Sequence, residues 1–368
     1  MNGRLKLSSS LPWLLALALV GCSAPAPTTT AETSHPNDAP VALSKRDRLL
    51  TWIQSLSSRT TNRVLIGQEI SSWSADTYDE FVVGLERKTG ERPAIVGFSL
   101  LEPGDYDARG IDCLIDHHQR GGLVTVSTHW THPWNDYSSN GKYYAKDANA
   151  PKPNLRELLW NAPDSAPKRK YWSQVQDLVS VLRRLKDAGA VVLFRPFHEM
   201  NGPWFWWGHD VNTDKTALVE LWQDLHKYLT VEKSFDNLLW VYSPATSWNA
   251  AIKHYYPGLD YVDIAGFDLY ADDLRPYQPG HRPDADDWTE TQKLGHPGGL
   301  AEFGPGGDQF PNGAHTLIDR LNDTYKTAVF AHSWTSWADG QRRALVEQPD
   351  IDWALDQPPI LTLKEVAW

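Results

Sequence analysis

Eight short apolar runs, spaced along residues 45–368, constrain the fold of this chain more than any other feature. Each run is almost continuously apolar, which is typical of parallel strands buried on both faces, because strands with one solvated face alternate instead. The predicted strands are Arg63–Gly67, Ala94–Ser99, Leu123–His129, Ala190–Pro196, Leu238–Ser243, Val262–Asp268, Gly299–Phe303 and Ala328–Trp334. We therefore expect a parallel sheet whose strands alternate with helices.

Helical periodicity fills the intervals between these strands. Between the third and fourth strands, apolar residues recur at positions 175, 178, 179, 182 and 185, and Gly189 follows where a helix would end. A second stripe extends from Leu218 to Leu229, with Asn212 or Thr213 as its expected N-cap. Eight strand–helix units predict the α/β class and a single-domain (β/α)8 TIM barrel. A doubly wound open sheet is the alternative, but no G-x-G-x-x-G motif follows the first strand.

Residues 1–21 have the features of an export signal. Two basic residues precede an apolar run from Leu11 to Val20, which is too short to span a bilayer but typical of a signal-peptide core. The run ends in Leu19-Val20-Gly21-Cys22, which resembles a bacterial lipobox. We therefore predict a lipoprotein signal peptide, with Cys22 as the lipidated N-terminus after cleavage. The alternative is an ordinary signal peptide followed by an incidental cysteine.

Composition defines the segment after this signal and the partners of the mature chain. Residues 22–44 are rich in Pro, Thr and Ala, which is typical of an extended linker, so we expect the folded domain to span residues 45–368. Cys113 is the other cysteine, so no disulfide is expected. The net charge of −11 argues against a nucleic-acid partner, which needs a basic face. We expect an exported monomer anchored to the bacterial cell envelope, in the outer membrane, only through its lipid.

Titratable side chains collect where the predicted strands end, which is the face of a TIM barrel that carries active sites. Glu199 follows the fourth strand and Glu302 lies near the end of the seventh, so both carboxylates are expected in one cleft. Paired carboxylates that flank a scissile bond are what glycoside hydrolysis requires. The alternatives are a structural ion pair between Glu199 and Arg195, and a loop position without a catalytic role for Glu302.

Other chemistries have weaker support in the sequence. His198 and Glu199 begin an H-E-x-x-H pattern, but Gly202 stands where the second zinc-binding His would be. No G-x-S-x-G motif is present, which argues against acyl transfer. We therefore expect neither a metal site nor another cofactor.

Tryptophan is unusually frequent, with 18 residues in 368. A run of four aromatic residues, from Trp204 to Trp207, follows Glu199 closely. The run indicates a rim on which sugar rings stack, because a flat aromatic face packs well against the C–H groups of a sugar. We assign four further tryptophans to the same rim, namely Trp130, Trp134, Trp334 and Trp337. The alternative for each is a structural role in the core.

The segment from Arg195 to Trp207 reads RPFHEMNGPWFWW and resembles the signature of glycoside hydrolase family 26, whose best-known members are β-mannanases. Two shorter segments, Gly266–Tyr270 and Ala301–Gly304, resemble the same family and follow in matching order. The resemblance implies a retaining double displacement. In it, Glu199 would be the general acid/base and Glu302 the nucleophile.

The resemblance also implies roles for residues around these two carboxylates. Sugar contacts are expected at His129, His198 and Trp204. Tyr270 matches a tyrosine that hydrogen-bonds the nucleophile. Trp337 matches the aromatic platform that follows the eighth strand, and Trp334 is the competing candidate.

Two segments depart from the family pattern. Phe98-Ser99 follows the second strand where many members have an Asp, and residues 271–292, rich in Asp and Pro, form a loop specific to this chain. Such loops set the number of subsites and the access to chain ends. The expected function is endo-acting hydrolysis of β-1,4-mannan or galactomannan. The alternatives are the same chemistry on β-1,3-1,4-glucan or xylan, an exo-acting mannobiohydrolase, and a non-catalytic glycan-binding lipoprotein.

Overall fold

Eight parallel strands close into a barrel in the computed structural model, which describes residues 42–71, 74–101, 106–135, 153–209, 214–281, 285–336 and 340–368. The strands are β1 (Val64–Ile70), β2 (Ile95–Leu101), β3 (Leu123–His129), β4 (Val192–Arg195), β5 (Leu238–Tyr242), β6 (Ile264–Tyr270), β7 (Gly298–Gly304) and β8 (Phe330–Ser333). Each strand pairs with the next, and β1 pairs with both β2 and β8, which closes the barrel. The predicted (β/α)8 TIM barrel is confirmed.

Some predictions fall on residues that lie outside the described part. They are the signal peptide, Cys22, the linker as far as residue 41, the N-cap candidates Asn212 and Thr213, and Trp337. Residues from Leu43 to Trp368 form one compact unit. Within the described residues, no helix is both long enough and apolar enough to cross a bilayer.

Helices alternate with the strands along the chain. They are α1 (Lys45–Leu56), α2 (Gly84–Thr89), α3 (Arg109–Gln119), α4 (Ala166–Asp187), α5 (Lys215–Lys227), α6 (Asp287–Gln292), α7 (His315–Asp323) and α8 (Ile351–Leu355). The longest, α4, buries the predicted apolar stripe that includes Val175, Leu178 and Leu182. Gly189 follows its C-cap with a φ of 81°, a conformation that favours glycine, so this predicted helix end is confirmed.

The N-cap of α5 differs from the prediction of Asn212 or Thr213. The cap is Asp214, whose side chain accepts a hydrogen bond from the Thr216 backbone N–H at 3.0 Å. An aspartate oxygen satisfies a free amide of the first turn as well as the predicted residues would. The apolar stripe defines where a helix lies, but several adjacent polar residues can compete for the cap.

Apolar side chains from five of the eight strands fill the lower interior of the barrel. They are Ile95, Leu193, Val241, Ala301 and Phe330. Arg195 and His332 line the same small cavity. Because side chains two residues apart on a strand share a face, Arg195 lies one step above Leu193, toward the carboxyl end of β4. The apolar packing of the lower barrel therefore ends at the level of Arg195, where the polar site begins.

Three strands continue at least two residues past their predicted ends. β1 continues to Ile70, β2 to Leu101 and β6 to Tyr270, so Glu69 and Tyr270 are strand residues rather than loop residues. A short ninth strand, β9 (Ile360–Leu361), pairs with the start of β1. It was not predicted because two residues carry no periodic signal.

Two glycines of the barrel leave room for a buried polar pair, Glu69 and His332. A Cβ atom at Gly67 would lie 2.2 Å from His332 Nδ1, and one at Gly97 would lie 1.9 Å from Glu69 Oε2. Both distances are far below van der Waals contact. Glycine is therefore required at these positions by close approach.

We predict that Gly67→Ala lowers the free energy of unfolding by about 1–3 kcal/mol, which is the usual cost of overpacking a core. Gly84→Ala is the matched control, because its Cβ would meet nothing closer than 3.5 Å and its φ of −61° suits alanine. Urea unfolding followed by tryptophan fluorescence measures both variants. Equal stability of the two variants would contradict the packing described for Gly67.

Candidate active site

Glu199, Asp268 and Glu302 bring their carboxylates together at the carboxyl end of the barrel. One oxygen from each lies within 4.8 Å of the other two. Asp268 and Glu302 are register partners on the adjacent strands β6 and β7, and Glu199 lies just past the end of β4. The structure therefore brings the predicted carboxylate pair into one site.

Glu199 has an unusual backbone conformation for a residue with a side chain. Its φ is 51°, in the left-handed region, which costs about 1–3 kcal/mol outside glycine. Its amide N–H donates to Ser243 O at 2.7 Å, and its carbonyl accepts from the Gly202 N–H at 2.9 Å. These bonds hold the sharp turn that aims the carboxyl group into the cleft.

Arg195 is the cation of the site, and its side chain is only 4% exposed. Its guanidinium donates to Asp268 Oδ2 at 3.1 Å and to Ser243 Oγ at 3.2 Å, and it forms an ion pair with Glu302. The structural alternative for Glu199, an ion pair with Arg195, is therefore wrong. Burial opposes the charge of Arg195, but Glu302 and Asp268 outweigh it and raise its pKa.

The second oxygen of Glu302 is also bound. The Tyr270 hydroxyl donates to Glu302 Oε2 at 2.7 Å. Burial and the nearby charge of Glu302 raise the pKa of Tyr270, so the phenol keeps its proton. Glu302 is thus held between a cation and a neutral donor, in one orientation.

Glu199 has a different environment, with its side chain partly exposed to the cleft. Its Oε2 accepts a hydrogen bond from Trp204 Nε1 at 2.6 Å. Desolvation by the surrounding protein and the negative charge of Glu302 raise its pKa to about 8, against the opposing effects of Trp204 and Arg195. Glu199 is therefore protonated at neutral pH, which a general acid requires.

Two neutral imidazoles, His129 and His198, lie side by side near this pair. Their ring centroids are 4.5 Å apart. Burial lowers the pKa of His129 to about 3, and burial together with His129 and Arg195 lowers that of His198. His198 Nδ1 is buried and makes no hydrogen bond within the described residues. It is a candidate donor or acceptor for a ligand hydroxyl.

The predicted departure at Phe98-Ser99 has a structural explanation. Ser99 lies within β2, and its Oγ is 2.6 Å from His129 Nδ1. A hydroxyl at this position therefore fixes the His129 ring through one of its nitrogens.

Most of the aromatic run lies in the core, so the prediction that it forms a sugar-stacking rim is wrong for Phe205, Trp206 and Trp207. Trp206 and Trp207 are fully buried, and only Trp204 of the run is partly exposed. Trp130 is also buried, and it accepts a hydrogen bond from Trp206 Nε1 on its carbonyl at 2.7 Å. Trp134 is partly exposed, with its Nε1 donating to Glu157 at 2.9 Å. Packing against α4 and β3 outweighs the surface role that their number suggested.

Trp334 lies against the charged centre rather than at the rim. It is 5% exposed, and the Arg195 guanidinium carbon lies 5.8 Å from its ring centroid. The ring centroids of His129 and Trp334 lie 6.4 Å apart. Trp337 lies outside the described residues, so the choice of Trp337 over Trp334 as the platform stays a prediction.

Sequence reasoning missed a buried pair behind Arg195. Glu69 Oε2 lies 2.9 Å from His332 Nε2. Burial raises the pKa of Glu69 to about 8 and lowers that of His332 to about 3, so the proton of the pair resides on Glu69 at neutral pH. Asp268 was also not singled out. Asp268 could have been found from its position at the end of a predicted strand. Glu69 could not, because the first strand was predicted to end at Gly67.

A metal ion would have to use the three-carboxylate cluster. Among the described residues, it is the one group of three acidic, His or Cys side chains close enough to share an ion. Arg195 already bonds two of its members and supplies the positive charge that an ion would bring. The arrangement therefore suits acid–base and nucleophilic chemistry by the carboxyl groups themselves.

A carboxylate pair at the carboxyl end of a (β/α)8 barrel, with one member protonated, defines the class of barrel glycoside hydrolases. Similarity to known proteins defines the family. The chain belongs to glycosyl hydrolase family 26, whose model matches residues 39–347, and it is a glycosidase. The family predicted from the strand-four segment is confirmed.

Two relatives and one solved structure illustrate this similarity. A mannan endo-1,4-β-mannosidase of Bacillus subtilis is 30% identical over 334 residues, which covers 87% of each chain. Another, from Bacillus subtilis strain 168, is 27% identical and covers 94% of this chain and 95% of the relative. The structure of a Bacillus subtilis mannanase superposes with a TM-score of 0.74 at 23% identity, covering 89% and 95% of the two chains. At 23% identity, this structural similarity shows the fold alone.

We predict opposite pKa shifts of Glu199 in two variants. Glu302→Gln removes the repelling charge, so the pKa of Glu199 should fall below about 8. Trp204→Phe removes the hydrogen bond that favours the carboxylate, so the pKa should rise. Carboxyl ¹³C NMR of enzyme carrying labelled glutamate measures both. Shifts in the same direction would contradict the electrostatics described above.

Proposed function

We propose that this glycosidase is an endo-acting, retaining β-mannanase that hydrolyses β-1,4 linkages in mannan and galactomannan. The observation that carries the mechanism is the approach of one Glu199 oxygen and one Glu302 oxygen to within 4.8 Å. Retaining enzymes hold their carboxyl groups about 5–5.5 Å apart, whereas inverting enzymes need about 6.5–9.5 Å to admit a water. The names of the similar Bacillus subtilis proteins support mannan as the substrate.

In the first step, Glu199 gives its proton to the glycosidic oxygen while a Glu302 oxygen attacks the anomeric carbon. The bond to the leaving sugar breaks, and a covalent glycosyl ester on Glu302 forms. The raised pKa of Glu199 keeps the proton available at neutral pH. Arg195 and Tyr270 hold Glu302 in place for the attack.

In the second step, Glu199 takes a proton from water, whose oxygen attacks the anomeric carbon and releases Glu302. The interactions that raise the pKa of Glu199 before the first step also explain its change from acid to base. The ester carries no negative charge, so one cause of the raised pKa of Glu199 disappears when the intermediate forms. The pKa of Glu199 then falls, and the carboxylate becomes the base that the second step requires.

The sugar in the cleft is proposed to contact His129, His198 and Trp204. Both imidazoles are neutral, which suits hydrogen bonding to hydroxyl groups, and His198 Nδ1 is unpartnered within the described residues. Trp204 offers a partly exposed ring beside the proposed acid. The aromatic platform after β8 is proposed to be Trp337, with Trp334 as the competing candidate.

We predict that mannan is hydrolysed far faster than lichenan or xylan, and that viscosity falls before many reducing ends appear. The first result tests the substrate and the second tests endo action. Faster release from lichenan or xylan would contradict the substrate. Release of mannobiose alone, with little change in viscosity, would contradict endo action. Glycan binding without any product would support the non-catalytic alternative instead.

Two variants separate the proposed roles of the carboxylates on the same substrates. Glu302→Ala should abolish turnover of every substrate, because no glycosyl ester can form. Glu199→Ala should reduce mannan hydrolysis by about 10²–10⁴-fold, while aryl mannosides with good leaving groups still form the intermediate. Appreciable residual activity of the Glu302 variant would contradict its role as nucleophile.

We also propose that the enzyme is a lipoprotein anchored through Cys22. The lipobox-like motif after the apolar run supports this proposal. Cells grown with radiolabelled palmitate should label the wild type but not Cys22→Ser, and the variant should leave the detergent phase on Triton X-114 partition. Cys113→Ser is the matched control and should keep the label. Absence of label from the wild type would contradict the anchor.

A further inference from the structure

Trp248 and Tyr277 form a pair of exposed rings on the active-site face, which we call the outer aromatic pair. Trp248 is 70% exposed and Tyr277 is 40% exposed. Their ring centroids lie 6.4 Å apart, with an angle of 37° between the planes. Trp248 is the most exposed aromatic side chain of the described residues. Because the two exposed rings are neighbours, they form a joint apolar surface rather than singly scattered side chains.

The loop that carries Trp248 is held in place by Asn201. The Asn201 side chain is buried and donates to the carbonyls of Ala245 and Ala250 at 2.8 and 3.0 Å. Its Oδ1 accepts from the Ala245 N–H at 2.7 Å. One side chain therefore closes the loop that presents the ring.

Asp287 joins this loop to the one that carries Tyr277. Its buried carboxylate accepts from the Ser247 N–H at 3.2 Å, and its own N–H donates to Tyr277 O at 3.1 Å. Asp287 thus links the backbone next to Trp248 to the backbone of Tyr277. The two loops are therefore joined where they present the two rings.

The position of the pair defines which part of a substrate it faces. The loops after β5 and β6 follow the Glu199 turn around the barrel, and Asn201 is two residues past Glu199. A general acid contacts the oxygen of the leaving group, so the leaving part of the substrate lies on this side. His129 and Trp334, by contrast, come from the ends of β3 and β8.

We propose that the outer aromatic pair is a sugar-binding subsite for the aglycone part of the polysaccharide, beyond the sugars that flank the scissile bond. The proposal rests on the proposed function. The ligand is a pyranose ring of the β-linked chain, whose C–H face packs on the Trp248 indole while its hydroxyls stay solvated. The tilted Tyr277 ring extends the contact along the chain.

A subsite remote from the reacting atoms binds substrate and transition state alike, so its loss raises KM and leaves kcat unchanged. We expect Trp248→Ala to lower kcat/KM on mannohexaose by about 3- to 10-fold through KM, the range of one lost aromatic contact. The change on 4-nitrophenyl β-mannobioside should be below twofold, because its aryl group does not extend to the subsite. Trp248→Phe should restore most of the loss.

Transfer to an added mannotriose acceptor gives an independent test, because the acceptor must occupy the aglycone side. Trp248→Ala and Tyr277→Ala should both reduce the transfer product. Trp353→Ala is the matched control, because Trp353 is also an exposed tryptophan, at 38%, but lies on α8, which leads into β9 beside the start of β1. It should behave as wild type.

Equal kcat/KM losses on both substrates, or no loss on mannohexaose, would overturn the subsite. Inactivity of the wild type on both mannosides would instead refute the proposed function. In that case, affinity electrophoresis in galactomannan, lichenan and xylan gels decides the subsite. Loss of retardation in one gel on Trp248→Ala would support it, and unchanged mobility of the variant in all three would overturn it.

Discussion

The site depends on one buried cation that serves more carboxyl groups than it can neutralise. Arg195 bonds Asp268 and Glu302 directly, and its charge also acts on Glu69 and Glu199. A single positive charge cannot neutralise four acidic side chains. Burial raises the pKa values of Glu69, Glu199 and Asp268, and the charge of Glu302 raises those of Glu199 and Asp268 further, while Arg195 opposes each shift. The proton that Glu199 would donate is therefore a consequence of its desolvation beside Glu302, which the charge of Arg195 does not offset.

Buried aromatic residues pack behind the charged groups of the site. Phe205 stacks on Trp207 at 4.3 Å between centroids, and Trp207 Nε1 donates to the His198 carbonyl at 2.9 Å. The turn that carries Glu199 is thus braced by rings that never meet solvent. Most of the unusual tryptophan content near the site contributes to rigidity, and a smaller part contributes surface for sugars.

Apolar periodicity was enough to predict the barrel, because parallel strands buried on both faces have few other solutions. It was also enough to place Glu199 and Glu302 at one face. It could not show that Arg195 would pair with Glu302 rather than with Glu199, because that choice depends on side-chain directions at the ends of β4 and β7, which are not adjacent in the sheet. The burial of Trp206 could not be predicted either, because an aromatic run has the same sequence whether its rings pack inward or outward.

Four positions at the base of the site behave as one unit for redesign. Glu69 and His332 fit only because Gly67 and Gly97 have no side chains, and each glycine lies opposite one of the polar pair on the neighbouring strand. Any larger residue at one position demands a compensating change at another, so substitutions among them will not be additive. The exposed Trp248 side chain, on the loop after β5, lies outside these four positions. Specificity can therefore be re-engineered at the mouth of the barrel while these four residues at its base are kept unchanged.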